Sequence, residues 1–127
     1  MSLARQKVTS ISRKILRMML AASRESHPNE FACLLRADGD TITELILVPG
    51  TISNNRSAIL RLHMMPIDFT VVGSAHSHPS PNFMPSDEDL RFFSQSGAIH
   101  IIIGYPYEEN TWNAYSRNGE EMRLELV

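Results

Sequence analysis

At 127 residues the chain is sized for one domain, long enough to bury a core without disulfide staples. Hydrophobic residues make up 43% and charged residues 20%, which excludes wholesale disorder, and no apolar run approaches the ~20 residues of a bilayer-spanning helix. The net charge of −2 hides an asymmetry: residues 1–24 hold six basic side chains and no acid, leaving −8 for the remainder, which argues against a general nucleic-acid binder. The lone cysteine, Cys33, cannot form an internal disulfide, and "MSLARQKVTSISRK" lacks the apolar core of a signal peptide; both point to the cytoplasm.

Taken in chain order, residues 1–8 read as a flexible N-terminal extension. Residues 10–26, "SISRKILRMMLAASRES", predict a helix, with Ile11, Ile15, Met18, Met19 and Ala22 at three- and four-residue spacing and Arg and Lys opposite. Ser10 or Ser12 would cap it, and "SHPN" ends it because a residue before proline leaves the helical region. The runs "EFACLLRA" and "ITELILV" flank "DGD", a hairpin signature, and "PGTISNNR" follows as a loop. "SAILRLHM" alternates as a strand, and "DFTVVGSAH", β-branched and mostly apolar, reads as a central strand. "SDEDLRFFSQSG" predicts a second helix, with Ser86 as N-cap, acids in the first turn and Gly97 at its end. "AIHIIIGYP" is another buried strand, and "TWNAYSRNGEEMRLELV" closes as a hairpin around Asn118-Gly119. The order αββββαβββ predicts the α+β class: a single domain over residues 1–127, its curved mixed sheet packed by two main helices.

The stretch "GSAHSHPSPNFMPSDEDL" carries the chemistry. His76 and His78, two apart at a strand end, project to one face, where two imidazoles converge on one ion. Asp89 lies three residues after Ser86. The pair fits a capping box, which needs no metal, but a rigid helix start also aims a carboxylate toward the strand end. Three prolines in "PSPNFMP" restrict the intervening loop. Two histidines and one carboxylate leave the fourth tetrahedral position of a zinc open, as catalysis requires. Asp87 and Glu88 read as solvent-facing acids at the positive helix end, and His27, His63 and His100 lack spaced partners and read as structural. Cys33 reads as a buried small hydrophobe. From the residues alone, Glu25, Glu30 and Glu44 are equal candidates for a general base.

"HSHP", the seven residues Pro79 to Pro85, then Ser86, two more and Asp89, resemble the His-x-His-x7-Ser-x2-Asp signature of the JAMM (MPN+) zinc metalloproteases. The family also places a glutamate at the start of an early strand after the first helix, where "SHPNEFACLL" supplies Glu30. The element order agrees from about residue 8 to the C-terminus, and the likeness is to the short archaeal or bacterial members. The resemblance implies a JAMM/MPN-like fold and one Zn²⁺ per chain on His76, His78 and Asp89. It implies that Glu30 takes the proton of the attacking water and passes it to the leaving amine, and that Ser86 donates to the oxyanion.

It further implies hydrolysis of the isopeptide or peptide bond that follows the C-terminal tail of a ubiquitin-like modifier. Such an extended tail would pair with a strand edge. The candidate edge is "SAILRLH", with Arg61 and Leu62 as contacts and Phe83 and Met84 beside the cleft. Eukaryotic deubiquitinating members carry an aromatic residue shortly before the first histidine, where this chain has "GSA", and longer insertions than 127 residues accommodate. Both departures favour simpler modifiers, such as the small archaeal ubiquitin-like proteins tied to sulfur transfer. Two rival readings stand beside this one: a hydrolase of the same mechanism processing a sulfur carrier or a small amide, and a non-catalytic MPN scaffold. No nucleic acid or membrane is expected as a partner; a homodimer is left open.

Overall fold

Apolar residues occupy consecutive positions in "ACLL" and in the "III" of "IHIIIG", which requires that both sheet faces be covered. The structure, a computed structural model, describes residues 7–48, 58, 62, 65 and 68–127. In chain order the described elements are β1 (Ser10–Ile11), α1 (Arg13–Ser26), β2 (Ala32–Asp38), β3 (Thr41–Leu47), β4 (Val71–His78) and α2 (Asp87–Gln95). They are followed by β5 (Ile99–Gly104), β6 (Trp112–Ser116), β7 (Glu121–Met122) and β8 (Glu125–Leu126). The strands form one mixed sheet in the order β7-β6-β5-β4-β2-β3-β1-β8. β4 and β5 are parallel and joined through α2, whereas β2 pairs antiparallel with both β3 and β4.

Alternation along the central strands splits the core in two. Cys33, Leu35, Ala75, Ile101 and Ile103 pack with Ile15, Leu16, Met19 and Leu20 of α1. Ala32, Leu34 and Ile102 belong to the second cluster, with Phe92 and Phe93 of α2 and Tyr115 of β6. A helix on each side of the sheet thus explains why "CLL" and "IHIII" contain no polar-out alternation. At the β4–β5 contact, a Cβ on Gly73 would overlap the Ile99 carbonyl, so glycine permits the close approach of the two strands.

The β2–β3 hairpin forms as expected, with Gly39 at φ 64° in its two-residue turn. The β6–β7 hairpin and both helices also fall where the sequence places them. Four details differ. Ser10 and Ile11 are extended, held between β3 and β8 by parallel pairing on both sides, so α1 starts only after the Ser12 N-cap. The buried stripe of α1 is Ile15, Leu16, Met19, Leu20 and Ser23; Met18 is 46% exposed, because the helix is rotated toward its Leu16–Leu20 edge. Val8, expected in a flexible extension, is buried in the core; residues 1–6 lie outside the described residues. The strand expected at 57–64 lies largely outside the described residues, but Ala58 and Leu62 are helical and buried in the second cluster. Their four-residue spacing suits a helix face, which the alternation reading overlooked. The expected loop 49–56 lies outside the described residues.

Candidate metal centre

β4 runs through the middle of the sheet and ends at His78, so its last residues are fixed by neighbours on both sides: Ala32 opposite His76, and Gly104 opposite His78. The two-residue period turns both imidazoles to the face that α2 covers. α2 begins with a complete capping box. The Asp89 N–H donates to Ser86 Oγ at 3.1 Å, and the Ser86 N–H donates to Asp89 Oδ2 at 2.9 Å. The box fixes the Asp89 side chain at the helix start, where it meets the strand end. Asp89 Oδ1 lies 3.1 Å from His76 Nε2, and Oδ2 lies 3.3 Å from His78 Nε2. The two Nε2 atoms are 3.2 Å apart. The capping reading and the metal reading therefore describe one geometry.

His76 and Asp89 are buried, at 1% and 2% exposure, while His78 is partly open to solvent. Burial pushes the Asp89 carboxyl up, but hydrogen bonds from His76 and His78 and the nearby imidazole charge outweigh it and hold the group well below the usual carboxylate range. Burial likewise pushes His78 down. Its hydrogen bond to Asp89, its hydrogen bond to Asn82 and the charges of Asp89 and Glu30 outweigh that and raise it.

His78 Nδ1 donates to the Asn82 carbonyl at 2.9 Å, which aims Nε2 at Asp89. Asn82 Oδ1 in turn accepts the Met84 N–H at 2.9 Å, a local side-chain turn that shapes the proline loop. His76 Nδ1 is buried without a hydrogen-bond partner among the described residues. The facing atoms of His76, His78 and Asp89 all lie within 4.8 Å of one another. Two imidazole nitrogens and a carboxylate oxygen, one imidazole oriented by a backbone carbonyl, are a donor set that fits zinc with one position left open.

These residues open onto a cleft of about 290 Å³ that is also lined by Glu30, Ser80 and Ser86. Glu30 is half-buried, immediately ahead of β2, and its Oε1 accepts the Ala58 N–H at 2.8 Å. Ser86 is exposed, and its Oγ accepts the Asp89 N–H in the capping box, a bond that uses a lone pair and not the hydroxyl proton. Glu88, expected to face away, is exposed but lines the cleft rim; Asp87 is exposed.

The expected substrate contacts divide. Leu62 is 3% exposed in the core and is unavailable to a substrate, and Arg61 lies outside the described residues. Phe83 is half-buried against the second cluster, and its carbonyl accepts the Tyr115 hydroxyl at 2.6 Å, so it packs the loop onto the fold. Met84 is 58% exposed. Sequence reasoning missed Asn82, Ser77 and Ala58 as partners of the site. Asn82 alone carries a local signal, since Asn after Pro commonly bends a chain through its own side chain. His27 and His100, read as structural, do have partners: His27 Nδ1 is 2.6 Å from the Tyr107 hydroxyl, and His100 Nδ1 is 2.7 Å from Ser74 Oγ.

Comparison with known proteins gives this arrangement its context. The family of prokaryotic homologues of the JAB domain matches residues 12–118. The chain belongs to that family. A protein of Haloferax volcanii named probable metalloprotease is 41% identical over 132 residues, covering 96% of this chain and 81% of its own length. A solved structure described as JAMM, a metalloprotease-like zinc site in the proteasome and signalosome, is 40% identical with a TM-score of 0.77, over 95% of this chain and 99% of the other. A JAB1/MPN domain protein from Archaeoglobus fulgidus is 42% identical with a TM-score of 0.75, over 94% of this chain and 96% of the other. The JAB/MPN likeness accounts for the α+β fold expected from the sequence.

Proposed function

We propose that this JAB-family protein is a zinc-dependent metalloprotease of the JAMM type, acting as an isopeptidase or peptidase on the bond after the C-terminal tail of a ubiquitin-like modifier. The observation that supports it most is the convergence of His76, His78 and Asp89 in one cleft with Glu30 and Ser86. His76, His78 and Asp89 hold one zinc per chain. Zinc bound there supplies a Lewis acid that polarises the scissile carbonyl and acidifies water. Glu30 accepts the proton of the attacking water and delivers it to the leaving nitrogen. The Ser86 Oγ–H donates to the oxygen of the tetrahedral species, while the same Oγ continues to accept from the Asp89 N–H. Met84, exposed on the loop between the ligands, offers an apolar contact to the tail.

Among the described residues no helix is long and apolar enough to cross a membrane. The buried free thiol of Cys33 suits a reducing compartment, and the cytoplasm is the proposed location.

The test begins with zinc content in protein purified without added metal. The parent should carry about one zinc, and Asp89→Ala much less. Glu30→Gln should keep its zinc and lose turnover by about 10²–10⁴-fold. A ubiquitin-like protein fused through its tail to a lysine side chain is then offered beside a small amide of the same terminal residues. Hydrolysis of the conjugate alone supports the isopeptidase reading. Hydrolysis of the small amide alone moves the assignment to a small-amide hydrolase, and zinc-loaded protein that cleaves neither is a scaffold.

A further inference from the structure

We infer that Ser77, the residue between the two histidines, is a positioning residue that sets Glu30 in register with the metal ligands. This rests on the proposed role of Glu30 as the general base. The regular ladder between β2 and β4 ends at the pair Ala32 and His76. One step further, Ser77 donates its N–H to the Phe31 carbonyl at 2.9 Å. In a regular antiparallel pair of this kind, the Phe31 N–H would return the bond to the Ser77 carbonyl. Instead it donates to Ser77 Oγ at 2.8 Å. A side-chain hydroxyl thus replaces the last backbone acceptor of the ladder.

The placement of this rung gives it a function. Ser77 is joined covalently to His76 and His78, and Phe31 to Glu30, so a single two-bond clamp sets the spacing between base and ligands. Ser77 is fully buried and Phe31 is 7% exposed, so water does not compete for either bond. The clamp on Phe31 then holds the Glu30 backbone, while the Ala58 N–H holds its Oε1. Losing the hydroxyl leaves a buried N–H unpaired, and the chain relieves that by shifting Phe31 and Glu30 away from the strand. The ligands themselves stay in place, because β5 pairs with β4 on the other side and the Asn82 carbonyl still orients His78.

Ser77→Ala and Ser77→Thr test this. In the metal-free protein, hydrogen exchange at the Phe31 amide should quicken by about tenfold or more in Ser77→Ala, with amides of β5 unchanged, and Ser77→Thr should restore protection. In zinc-loaded protein, Ser77→Ala should lower kcat by about 100-fold at unchanged KM, with zinc affinity by chelator competition held within about threefold. Ser77→Thr should recover most of kcat. Unchanged exchange at Phe31, or zinc affinity that falls in step with kcat, overturns the inference. If Ser77→Ala does not fold, Ser77→Cys carries the same test, since a thiol is a weak acceptor of similar size; parent-like protection of Phe31 in it also overturns the clamp. A parent that hydrolyses no amide defeats the protease reading, while the exchange measurement still decides the clamp.

Discussion

Acidifying the metal-free protein should expose the cost of keeping His100 neutral. Its ring is fully buried, stacked on Phe93 with centroids 4.3 Å apart and planes within 5°. Burial pushes its pKa down from 6.5 to about 3, against a smaller opposing pull from the backbone around Gly97. Between those values the unfolded chain binds a proton that the folded chain does not, so stability falls with pH, by about 1.4 kcal/mol per unit well below 6.5. From pH 7 to pH 5 the loss from this group is about 2 kcal/mol. His78, whose pKa is raised, works in the opposite direction, since it gains stability as it protonates. The contribution of His100 is therefore read as a difference, from urea unfolding of the parent and of His100→Leu at pH 7, 6 and 5 with chelator present. The gap between the two should change by about 2 kcal/mol in favour of the variant on acidification. Parallel curves would show that the buried ring titrates as it does in water, and the reasoning would be wrong.

Ser86→Ala separates the two duties of that hydroxyl. The metal-free protein should lose about 1 kcal/mol as one cap acceptor disappears, measured by urea unfolding. Zinc should be retained, because the Ser86 backbone N–H still holds Asp89, while kcat falls by about 10²–10³-fold. Unchanged kcat would make Ser86 a cap only. Cys33 is fully buried, and burial pushes its thiol up to about 12, so the folded protein should resist iodoacetamide at pH 8 and react only in denaturant. Alkylation in the native state at the rate of a free thiol would contradict that burial.

The site was legible because its residues lie close together in the chain and each obeys a local rule. The two-residue period of a strand turns His76 and His78 one way, and the capping box places Asp89 three residues after Ser86. Glu30 was different. It is brought near His76 only through the β2–β4 pairing, which joins Ala32 to His76 across 44 residues of chain and which no local pattern encodes, and the family resemblance supplied it. The misreadings have the same origin. Ser10 and Ile11 follow the helical spacing of the residues after them, but partners on β3 and β8, remote in sequence, draw them into the sheet. Ala58 and Leu62 fit either period, and only their burial in one cluster with Phe92 and Phe93 decides between them. Ser77 lies inside "HSHP", but its task depends on Phe31, which sits just ahead of β2.

The outermost described strands, β7 and β8, are two residues long each. A long flat edge is a template on which another extended chain copies itself, and repeated copying leads to fibres. Among the described residues the sheet tapers to outermost strands that present only two residues of edge each. For a protein proposed to handle loose, extended tails, these outer rims are short templates for a competing strand.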